Sequence, residues 1–166
     1  MQQSNRVGIV VGSRSDIAAA EKAAAVLDEL GVGNEIRVIS AHRAPDLLGR
    51  WVASADERGI GVVIAIAGLA AHLPGVVASQ TTLPVIGVPM AGGVSDGLDA
   101  LLAIVQMPKG VPVATVGVGN GENAGLLAAS ILSLSDSALR TRIEERRAAQ
   151  AASITADLAN EGLSPG

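Results

Sequence analysis

His42 and His72 are the two histidines of a 166-residue chain that has no cysteine. Each falls just after an apolar run. An imidazole gives and takes protons near neutral pH, and His42 lies beside Arg43 in Ser40-Ala41-His42-Arg43-Ala44-Pro45-Asp46. A proton-transfer group and a planar anion-binding fork therefore meet in one stretch; the other reading of His42 is a surface loop histidine. His72 lies in Gly68-Leu69-Ala70-Ala71-His72-Leu73-Pro74-Gly75, whose small residues let backbone amides approach a ligand. Its apolar neighbours also suit a satisfied core histidine. A third stretch, Gly12-Ser13-Arg14-Ser15-Asp16, supplies a flexible glycine, two hydroxyls and the N–H groups opening the next helix, the makings of a phosphate cradle. It lacks the Gly-Lys-Ser/Thr ending of a Walker loop, and a plain helix cap by Ser15 or Asp16 would use the same residues.

Other chemistries find little footing. Without cysteine there is no thiolate nucleophile, Cys-ligated zinc, iron-sulfur cluster or disulfide framework, and two histidines with scattered acids do not make a zinc set. No G-x-S-x-G elbow marks a Ser-His-Asp hydrolase. Gly119-Asn120-Gly121-Glu122-Asn123-Ala124 matches the dinucleotide fingerprint but follows the last strand, so it reads as a glycine-rich turn capping a helix. With a net charge of −4 and a single aromatic residue, Trp51, the chain lacks both the basic face and the stacking rings of a nucleic-acid binder. The uncharged stretch Gly59 to Ser95 is interrupted by His72, Gln80, Pro84 and Pro89, so no membrane span is expected. Met1 to Arg6 carries no signal or transit pattern, and a soluble cytoplasmic protein is the expectation.

The elements that must position these stretches follow from periodicity. Strands are expected at Arg6 to Val11, Glu35 to Ile39, Gly61 to Ile66, Pro84 to Val88 and Pro112 to Val118, and the last, like the third, reads as buried on both faces. Helices are expected at Asp16 to Leu30, Pro45 to Glu57, Ala70 to Ser79, Asp96 to Val105 and Glu122 to Leu134, with Gly31 and Gly59 as left-handed caps. This alternation predicts an α/β fold: a flavodoxin-like, three-layer parallel sheet within one domain spanning 1–166, its core at about 6–134. A charged helix over Asp136 to Asn160 extends it. Its stripe of Leu139, Ile143, Ile154 and Leu158 has no evident partner within the subunit, so the segment reads either as a solvated surface helix or as a helix packed on a neighbouring copy. Ligands of such sheets bind beyond the carboxyl ends of the strands. All three candidate loops are predicted there.

Taken together, GSRSD (12–16), SAHRAPD (40–46), AHLPG (71–75) and GLDALLAIVQMPKGVPVATVGV (97–118) resemble the PurE family, the carboxyaminoimidazole ribonucleotide mutases of purine biosynthesis. The resemblance spans Val7 to Leu134. It implies a flavodoxin-like subunit, a homo-octamer, and no metal or organic cofactor. It also implies a small ribonucleotide substrate whose carboxylate moves from the exocyclic N5 nitrogen to ring carbon C4. By resemblance, Ser13, Ser15, Asp16, Ser40 and Arg43 bind the ribose phosphate, and Gly12 and Ala41 also belong to the substrate-binding set. Gly68, Ala70, Ala71, His72 and Leu73 line the imidazole and carboxylate pocket, and His42 is the acid/base residue.

The chain departs from the commoner pattern at Leu69, where many members carry Gly, and at Met90 to Ser95, where the usual polar Gln-Ser pair is replaced by Ala91 and Gly92. Two alternatives stay open beside the mutase reading. One is direct carboxylation of aminoimidazole ribonucleotide by carbon dioxide; the other is a non-catalytic nucleotide-binding member that kept the fold.

Overall fold

A computed structural model describes residues 5–157. Five parallel strands, β1 (Arg6–Val11), β2 (Asn34–Val38), β3 (Ile60–Ala67), β4 (Val85–Pro89) and β5 (Ala114–Thr115), stand in the order β2-β1-β3-β4-β5. This is the flavodoxin order, and its direction of winding reverses between β1 and β3. Alternation along each strand divides the core in two. Val7, Ile9 and Val11 of β1 and Val62, Ile64 and Ile66 of β3 face α1 (Ile17–Glu29) and α5 (Gly121–Leu132). Val10, Val63, Ala65 and Ala67 face α2 (Pro45–Ala53), α3 (Leu73–Ala78) and α4 (Leu98–Val105). The core is aliphatic apart from Trp51, which fits against β1 because residue 8 is glycine: a Cβ there would meet the indole at 3.0 Å.

Small residues set the spacing on the first face. A Cβ on Gly121 would come 2.0 Å from the Ala19 carbonyl oxygen and one on Gly125 2.7 Å from that of Ala23, so α5 lies almost backbone to backbone against α1. The expected caps at Gly31 and Gly59 both adopt φ 69°, the left-handed geometry that glycine reaches without steric cost.

Several expected boundaries shift for identifiable reasons. The first helix begins at Ile17, after a short 3-10 turn (Arg14–Asp16). Ser13, rather than Ser15 or Asp16, caps that turn, accepting from the Ser15 N–H at 3.4 Å. The second helix stops at Ala53 because Ser54 Oγ and the Arg58 guanidinium satisfy the Arg50 and Trp51 carbonyls. Residues Ala70 to His72 are loop, not helix. Leu69 turns left-handed at φ 56°, and the N–H groups of Ala71 and His72 return to the carbonyls of Leu69 and Ala70, two residues back.

The last strand departs furthest. Only Ala114–Thr115 pair with β4, Pro112 and Gly117 are exposed, and Val118 retains 41% of its surface. An apolar run marks a buried strand only where neighbours exist on both sides, and β5 is an edge. Helix α6 (Ser137–Thr155) is also corrected. Leu139 and Ile143 are buried in the first core cluster, so they do have a partner within the subunit. Arg142 Nε donates to the Leu30 carbonyl at 2.8 Å, and Arg146 pairs with Glu29 and Glu122 at 3.2 and 3.0 Å. These contacts bridge α6 to the end of α1 and the start of α5. Ile154 remains 65% exposed, and Leu158 and the predicted end at Asn160 lie outside the described residues. Among the described residues no helix is long and apolar enough to cross a membrane.

Candidate active site

At the carboxyl ends of β1, β2, β3 and β4 the loops enclose a cleft of about 510 Å³. Its position follows from the topology. Connections leave β1 and β3 in opposite directions, so the loops above these two central strands part and leave a hollow. Gly12, Ser13, Ser15 and Asp16 line it from the first loop, Ser40, Ala41, His42 and Arg43 from the second, and Gly68, Ala70 and Leu73 from the third. Ala71 is 1% exposed and packs into the core with Leu73. His72 is not on the wall. It is an exposed residue in contact with His42, so the core-histidine reading does not hold.

The second loop is a tight turn in which the Ala44 N–H bonds to the Ser40 carbonyl at 2.9 Å, and Pro45, fixed at the helical φ, then opens α2. Ser40 Oγ accepts from both the backbone N–H and Nε of Arg43, each at 3.3 Å. Arg43 Nη2 reaches across to the Gly12 carbonyl at 3.4 Å. The guanidinium is thus held at both its base and one branch while further N–H groups stay free, a preformed fork for an oxyanion. Nearby, Ser15 Oγ donates to Asp16 Oδ1 at 2.9 Å, and Asp16 makes no side-chain cap bond to α1.

His42 Nε2 lies 2.8 Å from His72 Nδ1, with the rings at 87° and their centroids 5.0 Å apart. The two histidines, thirty positions apart in the chain, thus form one hydrogen-bonded pair. Ala67, Leu69, Met90 and Ala91 also line the cleft and were not among the predicted site residues. Placement beyond β3 and β4 was the signal for them. None of the four has a charged or hydrogen-bonding side chain, so in the sequence Leu69 and the 90–95 segment stand out only as departures from the commoner family pattern. Among the described residues no group of three or more His, Asp or Glu side chains could hold a metal ion.

Comparison with known proteins decides the family. The AIR carboxylase family model matches residues 6–153. The chain belongs to this family. Within it, the N5-carboxyaminoimidazole ribonucleotide mutase of Thermotoga maritima is 54% identical over 140 residues, covering 84% of this chain and 82% of that protein. The mutase of Mycobacterium tuberculosis strain H37Rv is 55% identical over 138 residues, covering 83% and 79%. The chloroplastic phosphoribosylaminoimidazole carboxylase of Vigna aconitifolia is 51% identical over 142 residues, covering 86% of this chain but only 26% of that longer protein. In three dimensions the crystal structure of PurE from Treponema denticola superposes with a TM-score of 0.83 at 29% identity, covering 94% of this chain and 98% of the other. The flavodoxin-like PurE fold expected from the sequence is therefore the fold of this AIR carboxylase family member.

Proposed function

We propose that this protein is a cytoplasmic mutase of purine biosynthesis. It moves the carboxylate of N5-carboxyaminoimidazole ribonucleotide from N5 to C4, with His42 as the acid/base residue. The observation that carries the reading is the meeting of His42 and the braced Arg43 fork in one cleft. The similarity to mutases of matching length supports it. Arg43, Ser13, Ser15 and Ser40 bind the ribose phosphate. Gly68, Ala70 and Leu73 form the apolar wall that keeps water out and carbon dioxide in.

The N5–carboxylate bond breaks first, its electron pair passing to N5, which takes a proton from the His42 imidazolium. The electron-rich C4 then attacks the retained carbon dioxide. Neutral His42 removes the C4 proton, the ring double bond re-forms, and the imidazolium is ready for the next substrate. Proton and carboxylate are conserved within the cycle. Net consumption of a co-reactant is not required.

Direct carboxylation of aminoimidazole ribonucleotide is the second reading, favoured by the similarity to the plant carboxylase over a quarter of that protein's length. Turnover of the N5-carboxylated substrate, measured against aminoimidazole ribonucleotide plus bicarbonate, separates the two. Faster conversion of the former is expected. Conversion of neither substrate would leave a non-catalytic nucleotide-binding member.

The working form is proposed to be a homo-oligomer, an octamer as in the family resemblance. Leu98, Leu102 and Val105, one stripe of α4, are 53%, 48% and 48% exposed beside the β5 edge, and a second copy would cover them. Sedimentation as a monomer at micromolar concentration would overturn this assembly.

A further inference from the structure

The bond between Nε2 of His42 and Nδ1 of His72 contains a single hydrogen, because two imidazole nitrogens at 2.8 Å can neither both carry a proton nor both be bare. Both rings rest on well-anchored backbone. His42 belongs to the turn closed by Ala44 on Ser40 at 2.9 Å. His72 precedes α3, donating its N–H to the Ala70 carbonyl at 2.7 Å and accepting from Val76 at 2.9 Å. Buried Ala71 and Leu73, at 1% and 3% exposure, flank His72 and hold it in place. Among the described residues no carboxylate is paired with either imidazole to play the orienting role that an acid often plays for a catalytic histidine. The ion pairs among the described residues involve Glu29, Glu35 and Glu122, and neither imidazole. Arg43 and Asp16 are the charged groups lining the same cleft.

We propose that His72 is the positioning residue of the site. It accepts the Nε2–H of His42 on its own Nδ1, holds His42 in that tautomer, and leaves Nδ1 of His42 as the nitrogen that exchanges protons in the cleft. This rests on the carboxylate-transfer reading above. In that cycle Nδ1–H is given to N5 as the carbamate bond breaks, and Nδ1 takes the C4 proton as the ring double bond re-forms. The Nε2–H never leaves His42, and His72 keeps its own proton on Nε2, so it remains neutral throughout. Its Nδ1 lone pair faces the Nε2–H of His42 throughout and keeps the ring in one orientation. The reaction therefore needs both histidines while only one touches the reacting atoms.

The test compares His72→Ala, which removes the acceptor, with His72→Asn, whose Oδ1 takes the place of Nδ1 but cannot ionise. His72→Ala is expected to lower kcat by roughly 10-fold or more, by analogy with the loss of a partner that orients a metal-ligating histidine, with KM unchanged. His72→Asn is expected to restore most of that loss. In substrate-free wild-type protein at a pH where His42 is neutral, nitrogen NMR of labelled histidine should find the His42 proton on Nε2, and in His72→Ala a mixture of tautomers. Wild-type kcat in His72→Ala, failure of Asn to rescue, or a His42 proton found on Nδ1 in the neutral wild type would each overturn the proposal. The tautomer measurement needs no substrate, so it tests the pair even if the wild-type protein fails to transfer carboxylate. That second failure would fall on the functional reading alone.

Discussion

Two polar clusters sit at opposite ends of the same sheet and differ in how completely their groups are satisfied. At the amino end, beneath α2, Glu35 is 10% exposed in its side chain and accepts from Trp51 Nε1 at 2.8 Å, Arg58 Nε at 3.2 Å and Arg37 Nη2 at 3.4 Å. Arg58 also donates to Ser54 Oγ and the Trp51 carbonyl, and stacks over the indole with its centre 5.4 Å from the ring centroid. At the carboxyl end Arg43, the serines and the histidine pair bond chiefly to one another and to loop backbone, with further donors turned to the cleft. A cluster that consumes its own hydrogen-bonding capacity holds structure together. A braced cluster with capacity left over can hold a ligand. The amino-end cluster should therefore answer in stability and the carboxyl-end cluster in activity.

The largest separation is expected at His42. His42→Asn keeps a hydrogen-bonding side chain and removes the titrating one, so kcat should fall by at least about 100-fold while substrate binding and the melting temperature hold. Near-normal turnover would break the assignment. If the variant instead loses activity only because it no longer binds, His42 positions the substrate and the proton travels elsewhere.

Arg43→Lys comes next. An ammonium cannot reproduce the braced planar fork, and the ribonucleotide should bind more weakly by about 1 to 3 kcal/mol, the range for hydrogen bonds to charged groups. Titration calorimetry reads this directly, and unchanged affinity would make Arg43 a solvated loop residue.

Glu35→Ala probes the other end. It leaves Trp51 and Arg58 without their shared acceptor, which should cost about 2 kcal/mol of stability, or roughly 4 to 8 °C in Tm at this chain length. Activity per folded molecule should be unchanged. Loss of kcat without loss of Tm would erase the contrast between the two ends.

The smallest effect is expected at Arg146, where hydrogen bonding to Glu29 raises the guanidinium pKa above the usual arginine value, followed in the same direction by the bond to Glu122. A raised value on a cation means stabilisation fully present below the ordinary arginine range and lost only above it, so the pairing should not vary with pH near neutrality. Both carboxylates are half exposed, at 55% and 50%. Arg146→Ala should therefore cost no more than about 1 kcal/mol, and less in high salt. Denaturant midpoints at low and high salt provide the check.

The legibility of this protein in its sequence follows from the range of the forces involved. Strand β1 and the caps at Gly31 and Gly59 could be read because two-residue alternation, Val and Ile enrichment and left-handed glycine are local properties of the backbone. The three polar stretches could be assigned to one side of the sheet because they follow strands of a parallel fold. That assignment needs only the order of elements. Burial could not be read so directly. VATVGV of β5 and VVIAIA of β3 look alike as strings, but one lies at an edge and the other has strands on both sides, a difference decided by pairing far along the chain. The apolar stripe of α6 looks unpartnered for the same reason, since the core cluster that Leu139 and Ile143 join includes Leu27 and Leu30 at the end of α1, far back in the chain. His72 is the clearest case. By itself it sits among Ala, Leu and Pro and invites a core reading, and only the packing of β2 and β3 on either side of β1 brings it 2.8 Å from His42. Residue types and their order along the chain determined which chemistry was available and at which end of the sheet. Tertiary structure decided which groups share a proton, which acids are already spent on other partners, and which apolar surface remains for another molecule, because each depends on distances between segments that no local pattern encodes.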